Sequence, residues 1–176
     1  FLLVIFDHTR IKTIRAGINY LVQAHIGVAC LSVAFIWIAL AEGTYDFIVM
    51  PTFFSKPDSI WVFMLLFIGF GLKAGFIPLH TWLPHAHPAA PSHISGVMSG
   101  VVVKMGIFGI IRVVTYLTTK VVAIGEFILI LSVLTSLYGI LNAALHRDFK
   151  RMLAFCTIEN IGIIGMGIGI GLIGKG

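Results

Sequence analysis

Long apolar runs, each closed by a short cluster of polar and charged residues, set the rhythm of this chain. Runs of roughly 20 such residues cross about 30 Å of hydrocarbon when coiled at about 1.5 Å per residue. The pattern predicts about five crossings, near residues 15–40, 60–79, 93–117, 123–145 and 149–173, with residues 1–6 as the tail of an earlier helix. Residues 1–14 thus read as the end of that helix and a loop, and 15–145 as four helices. Strict alternation of apolar and polar positions, the mark of a membrane barrel, does not occur. A segment in lipid must satisfy its backbone internally, so the expected fold is all-α, a polytopic transmembrane helical bundle.

Of the 176 residues 59% are hydrophobic and 11% charged, against about 25% charged in an ordinary soluble domain. The charges gather between the runs. Arg10, Lys12 and Arg15 lie in the first connection and Arg147, Lys150 and Arg151 in the last, whereas the second carries Glu42, Asp46 and Asp58 against Lys56. Lys and Arg near helix ends favour the cytoplasmic face. Both basic connections are expected there and, with alternating crossings, so is the Pro/His-rich stretch 80–92. The net charge of +5 is then a topology signal and implies no nucleic-acid partner. The chain opens on Phe1 without a signal-peptide pattern and is expected to be a piece of something longer.

A few polar residues interrupt the apolar runs. Lys73 stands near the end of "SIWVFMLLFIGFGLKAGFI". A charge at mid-membrane costs on the order of 2.5–3.5 kcal/mol on insertion scales, so it faces a bundle interior or a water-filled cavity; near a helix end it can also snorkel along its own stem. Lys104, about 16 Å into a helix that opens near His93, is too deep for that escape. Gly100 and Gly96, one and two turns before it, form a small-residue stripe that admits another helix, so Lys104 is expected to point into the bundle. Burial lowers a lysine pKa by up to about 3–5 units, into range of proton exchange near neutral pH. The pair Lys73 and Lys104 is therefore the candidate for proton translocation. Pro78 lacks an N–H, so the carbonyl of Ala74 is expected to lose its helical partner and the helix to be interrupted beside Lys73. Irregular backbone at that depth must line a cavity or be covered by protein.

Other polar positions each carry two readings. Glu159, about 15 Å into the last helix, is either a relay carboxylate or the hydrogen-bonded partner of a lysine. His25 and His80 titrate nearest neutrality and are relay candidates, although a lone buried histidine is more often only hydrogen-bonded. Ser132, Ser136, Gly139, Asn142 and His146 share one face, which lines water or permits close helix packing. His85, His87 and His93 have no carboxylate or cysteine beside them, which argues against a metal site. Cys30 and Cys156 sit alone in apolar runs without CxxC spacing and read as packing residues, so no disulfide framework, iron–sulfur or zinc centre is encoded. "GIGLIG" at 169–174 fits GxGxxG but follows a membrane helix rather than a strand, so its glycines read as helix contacts. No catalytic or cofactor-binding residue is expected in this chain.

The stretches "KAGFIPLHTWLPHAHPAAPSHISGVMSGVVVKMGIFGIIR" and "YGILNAALHRDFKRMLAFCTIENIGIIGMG" resemble the antiporter-like membrane subunits shared by respiratory complex I, multi-subunit sodium/proton antiporters and energy-converting hydrogenases. The likeness covers roughly residues 60–170, and residues 1–59 match more loosely. It implies a bundle of about fourteen helices built from two inverted five-helix repeats, with residues 146–176 as the start of the second. It also implies that Lys73 is the family's lysine beside a broken helix and Lys104 its central lysine, with a partner glutamate before residue 1 and second-half channel residues beyond 176. Complex I relatives usually carry Asp where His85 stands and Ser-His or Ser-Gln where Glu159 and Asn160 stand. The pattern is thus more similar to the hydrogenase branch, of the formate hydrogenlyase and hydrogenase-four type.

The function so implied is a proton-translocating membrane subunit of a redox-driven complex, a membrane-bound hydrogenase or a complex I-like NADH:quinone oxidoreductase. The alternative is a subunit of a multi-subunit Na+/H+ antiporter without a redox partner. The resemblance places iron–sulfur and nickel–iron centres in partner subunits and none here. It implies other membrane subunits and a peripheral redox arm as partners, H+ or Na+ as the ion, and a bacterial or archaeal cell (inner) membrane as the setting.

Overall fold

The computed structural model describes residues 1–7, 9–56, 59–118 and 121–175, so Asp58 lies outside the described residues. In order, the elements are α1 (Ile11–Glu42), a 3-10 turn (Phe47–Val49), α2 (Met50–Phe54), α3 (Ser59–Ala74), α4 (Leu83–Ala89), α5 (Ser92–Val97), a π-helical turn (Met98–Val102), α6 (Val103–Thr115), α7 (Val121–Leu145) and α8 (Phe149–Ile173). Among the described residues all regular structure is helical. Four stretches are long and apolar enough to cross a membrane: α1, the run Ser92–Thr115, α7 and α8. With 16 residues, α3 reaches about 24 Å, short of a full crossing, and the chain continues through an irregular segment into α4.

The N-terminal residues do not extend a helix: residues 2–5 form turns. The first run begins earlier than its hydropathy suggests, at Ile11, and ends where Gly43 takes up φ +71° and returns its N–H to the carbonyl of Ala39 at 2.8 Å. Helix α1 packs against α3, with Gly27 close to Gly69. The ion pair of Lys56 with Glu42 closes one end of this pair, while Tyr20 meets Trp82 at the other, ring centroids 5.0 Å apart. Helix α4 bridges from α1 to α8, and Lys150 donates to the carbonyl of Ala90 at 2.9 Å. The two basic clusters thereby share one end of the bundle.

Lipid offers helices no hydrophobic drive to associate, so close backbone approach carries the packing. The α7–α8 pair is antiparallel and uses small residues throughout: Gly125 against Gly169, Ser136 against Gly162, and Gly139 against the backbone of Glu159. Asp148 caps α8, accepting the Lys150 N–H at 3.0 Å. A core of Phe63, Leu66, Phe76, Leu83, Ile128 and Ile158 joins α3, the irregular segment and the α7–α8 pair.

Candidate functional site

Lys73 occupies the last turn of α3. That helix stops at Ala74, not near 79, because Gly75 adopts φ +88°, a left-handed conformation that suits glycine. The N–H groups of Gly75 and Phe76 both return to the carbonyl of Gly71, at 2.7 and 3.2 Å, as in a Schellman-type cap. The terminator is thus Gly75, and Pro78 lies in the turns that follow. The interrupted helix expected near Lys73 and Pro78 is present, but the proline is not its cause. The next orphaned carbonyl, that of Leu72, accepts the indole N–H of Trp82 at 2.7 Å, which ties the two sides of the break together.

Beside the break, Lys73 lines a cavity of about 130 Å³ with Tyr20, Gln23, Gly27, Trp82 and Val102. Gln23 donates to Asn19 Oδ1 at 2.9 Å and to Thr81 Oγ1 at 2.5 Å, and its own Oε1 is buried with no partner among the described residues. A buried acceptor of this kind is where water is held. The cavity lining therefore mixes Tyr20, Gln23 and Lys73 with apolar residues such as Val28 and Leu31.

Lys104 lies two residues beyond the π-helical turn and lines an open groove of about 360 Å³ between α6 and α8, with Ser99, Gly100, Thr157, Asn160 and Ile164. Ser99 and Thr157 share a hydrogen bond at 3.0 Å across it. Among the described residues no helix comes against Gly96 or Gly100, where a Cβ meets nothing within 4 Å. Close approach belongs instead to Gly106, whose Cβ would lie 2.6 Å from Ala74 N and 2.7 Å from Phe70 O, and to Gly109 on the Phe70 ring. Gly100 and Lys104 line one groove across the π-helical turn, and among the described residues that groove is open. Lys104 does not point into a closed core. Both lysine residues are exposed in this chain, and the contact of Ala74 with Gly106 brings their helix segments together.

The remaining candidates scatter. His80 is 8% exposed, sits 4.7 Å from the Tyr138 ring and keeps Nδ1 buried without a partner among the described residues. His25 is exposed and spends Nδ1 on the carbonyl of Leu21 at 2.8 Å. Glu159 presses its backbone against Gly139 on α7, and among the described residues it pairs with neither lysine. On α7 the packing reading prevails: Ser132, Ser136 and Gly139 meet α8, and Asn142 and His146 bond back one turn to Tyr138 and Asn142. Among the described residues no group of three or more His, Cys, Asp or Glu is placed to hold a metal ion. Gln23, Thr81 and Thr135 were not singled out from the sequence, although Asn19 and Gln23 at i and i+4 in an apolar run are a readable signal.

An all-α membrane bundle with an interrupted helix, carrying a lysine at the break and a second on the helix packed against it, defines a class of polytopic membrane protein. The chain belongs to the family described as NADH:quinone oxidoreductase/Mrp antiporter, transmembrane, which it matches over residues 1–175. It is 42% identical over 166 residues to hydrogenase-4 component B of Escherichia coli (strain K12), covering 92% of this chain and 25% of that protein. To formate hydrogenlyase subunit 3 of the same organism it is 33% identical over 161 residues, 91% of this chain and 26% of that protein. A chain of the membrane-bound sulfane sulfur reductase, an archaeal respiratory membrane complex, shares the fold with a TM-score of 0.81 at 27% identity, covering 88% of this chain and 28% of that one. The chain thus spans about a quarter of the length of the curated relatives it matches.

Proposed function

We propose that this chain is part of a proton-translocating membrane subunit of a redox-driven complex, of the membrane-bound hydrogenase or NADH:quinone oxidoreductase type, in a bacterial or archaeal cell membrane. The observation that carries the reading is the placement of Lys73 and Lys104 next to backbone irregularities, the break after Ala74 and the π-helical turn before Val103, where α3 and α6 touch. Ionisable groups inside a membrane are costly and mark ion pathways when they face a cavity or groove. Irregular backbone beside them supplies the polar groups that hold water. Lys73 takes up and releases a proton in the Gln23 cavity, and Lys104 passes it along the α6–α8 groove; His80 is a further candidate relay at the break. Glu159 and His25 are further relay candidates away from the break; like His80, neither lines the Lys73 cavity or the Lys104 groove. Electron transfer takes place in partner subunits, which carry the iron–sulfur and nickel–iron centres in a peripheral arm. The Mrp members of the family favour a second reading, a Na+/H+ antiporter subunit without a redox partner.

The test uses the intact complex in sealed vesicles, with reaction-driven proton uptake measured for Lys104→Ala and assembly checked in parallel. Retained electron transfer with lost uptake is the expected result. Uptake at the wild-type level sinks the relay and leaves the chain a membrane anchor. Purification without any redox-centre subunit, with cation-driven proton exchange intact, establishes the antiporter reading instead.

A further inference from the structure

Where α3 breaks, backbone groups that a continuous helix would satisfy must find partners elsewhere, because hydrocarbon offers none. Several find them locally: Gly71 O takes two amides, Leu72 O takes the Trp82 indole, and Leu79 N–H reaches Phe76 O at 2.6 Å. The amide of Ile77 leaves its own segment. In an unbroken helix its acceptor is the carbonyl of Lys73, four residues back. Here it donates to Oγ1 of Thr135 on α7 at 3.3 Å. Thr135 is fully buried, and its hydroxyl in turn donates to Leu131 O at 2.7 Å, so donor and acceptor are both committed. Ser132, almost one turn earlier and equally buried, keeps an Oγ without a partner among the described residues in the same neighbourhood, where Gly165 meets both that hydroxyl and the Phe76 ring. Helix α7 therefore turns two hydroxyls toward the break.

We propose that Thr135 is a positioning residue for the Lys73 site: by accepting the Ile77 N–H it withholds that amide from the Lys73 carbonyl and holds open the break that begins at Gly75. The inference rests on the relay reading of Lys73. With the hydroxyl gone, a half-buried amide loses its partner, and in hydrocarbon such a group recruits whatever acceptor is near. The Lys73 carbonyl is the one that helical geometry supplies. Taking it carries α3 past Gly75 and moves the negative end of the helix dipole beyond the lysine. The field at the ammonium changes although Lys73 itself is untouched.

The experiment compares Thr135→Val, which keeps the shape and removes the hydroxyl, with Thr135→Ser, which keeps the hydroxyl, in the full-length subunit within its complex. Two readouts are taken: the cryo-electron microscopy structure of the break, and the pH profile of ion movement in sealed vesicles. In Thr135→Val the Ile77 amide is expected within about 3.5 Å of the Lys73 carbonyl, with the pH profile displaced by roughly half a unit; Thr135→Ser keeps the wild-type break and profile. A valine variant with an unchanged break, or with a moved break and an unchanged profile, overturns the proposal, as does a serine variant that behaves like valine. Should Thr135→Val fail to assemble, Thr135→Cys, with a weaker acceptor of similar size, carries the same two readouts. If Lys73→Ala leaves ion movement intact, the relay reading fails separately, and the structure of the break still decides whether Thr135 holds it.

Discussion

Two parts of this bundle take polar residues into the membrane and treat them in opposite ways. The α7–α8 pair is built from two uninterrupted helices of 25 residues each, and its Ser and Gly face is consumed by packing. Its amide and imidazole groups bond back along their own helix: Asn142 to Tyr138, His146 to Asn142, Asn160 to Cys156. The part made of α3, its break, α4 and α6 is irregular in two places, and its lysines make no hydrogen bond or ion pair among the described residues. A polar side chain in a bilayer is therefore a weak marker of a site. The stronger marker is a polar side chain beside backbone that has left the i to i+4 ladder, because such backbone brings its own unsatisfied groups and space for water.

The comparison is tested first where the expected effect is largest, in the regular pair. Gly162→Ala places a Cβ 2.5 Å from Ser136 N and 2.7 Å from Ser132 O, backbone atoms that move only if the helices part. A loss on the order of 1–3 kcal/mol is expected, read as a lower melting temperature of the complex. Gly167→Ala is the control, since among the described residues a Cβ there meets nothing within 4 Å, and it is expected to equal wild type or exceed it by up to about 1 kcal/mol. Equal melting of the two variants would remove the packing account of α7–α8. Gly106→Ala comes next: its Cβ lies 2.6 Å from Ala74 N, so the strain is similar, but the seam it opens lies beside the lysines. Here ion movement per assembled complex is expected to fall several-fold. An unchanged rate would show that the approach of α3 to α6 serves stability alone.

What the sequence made legible, and what it hid, divides along the same line. Helices α7 and α8 were readable almost to the residue because nothing but length and hydropathy determines them. The break was readable in place but not in cause: Pro78 is the familiar breaker, whereas Gly75 is one glycine among 19, and only its φ of +88° distinguishes it. The π-helical turn 98–102 was hidden, since its sequence, Met-Ser-Gly-Val-Val, contains no proline and reads as ordinary apolar helix. That hidden turn lies between Gly96 and Lys104, and among the described residues Gly100 and Lys104 line one open groove beside it. Thr135 was hidden for another reason. It sits on a hydroxyl-rich helix that mostly packs, and its partner Ile77 is 58 residues away in sequence.

The smallest expected effect, under about 1 kcal/mol at about pH 6, lies at the seam between the two parts, on the basic end and outside the candidate spans. His87 on α4 is 2% exposed, its Nδ1 is 2.5 Å from Ser95 Oγ, and its Nε2 has no partner among the described residues. Burial first, and the nearby Lys150 ammonium second, push its pKa from 6.5 down to about 4. With the folded value below the unfolded one, the folded state favours the neutral ring. Its contribution is fully present above about pH 6.5 and is lost as pH falls toward 4, because the unfolded chain takes up the proton first. The melting temperature of the complex is expected to decline across that window, and His87→Asn, which does not titrate, to flatten the decline. Retention of the wild-type slope in His87→Asn would assign it to other groups. A slope that follows His87 identifies the docking of α4 onto α8 as the part that yields, since the glycine and serine contacts of α7 with α8 hold at any pH in this range.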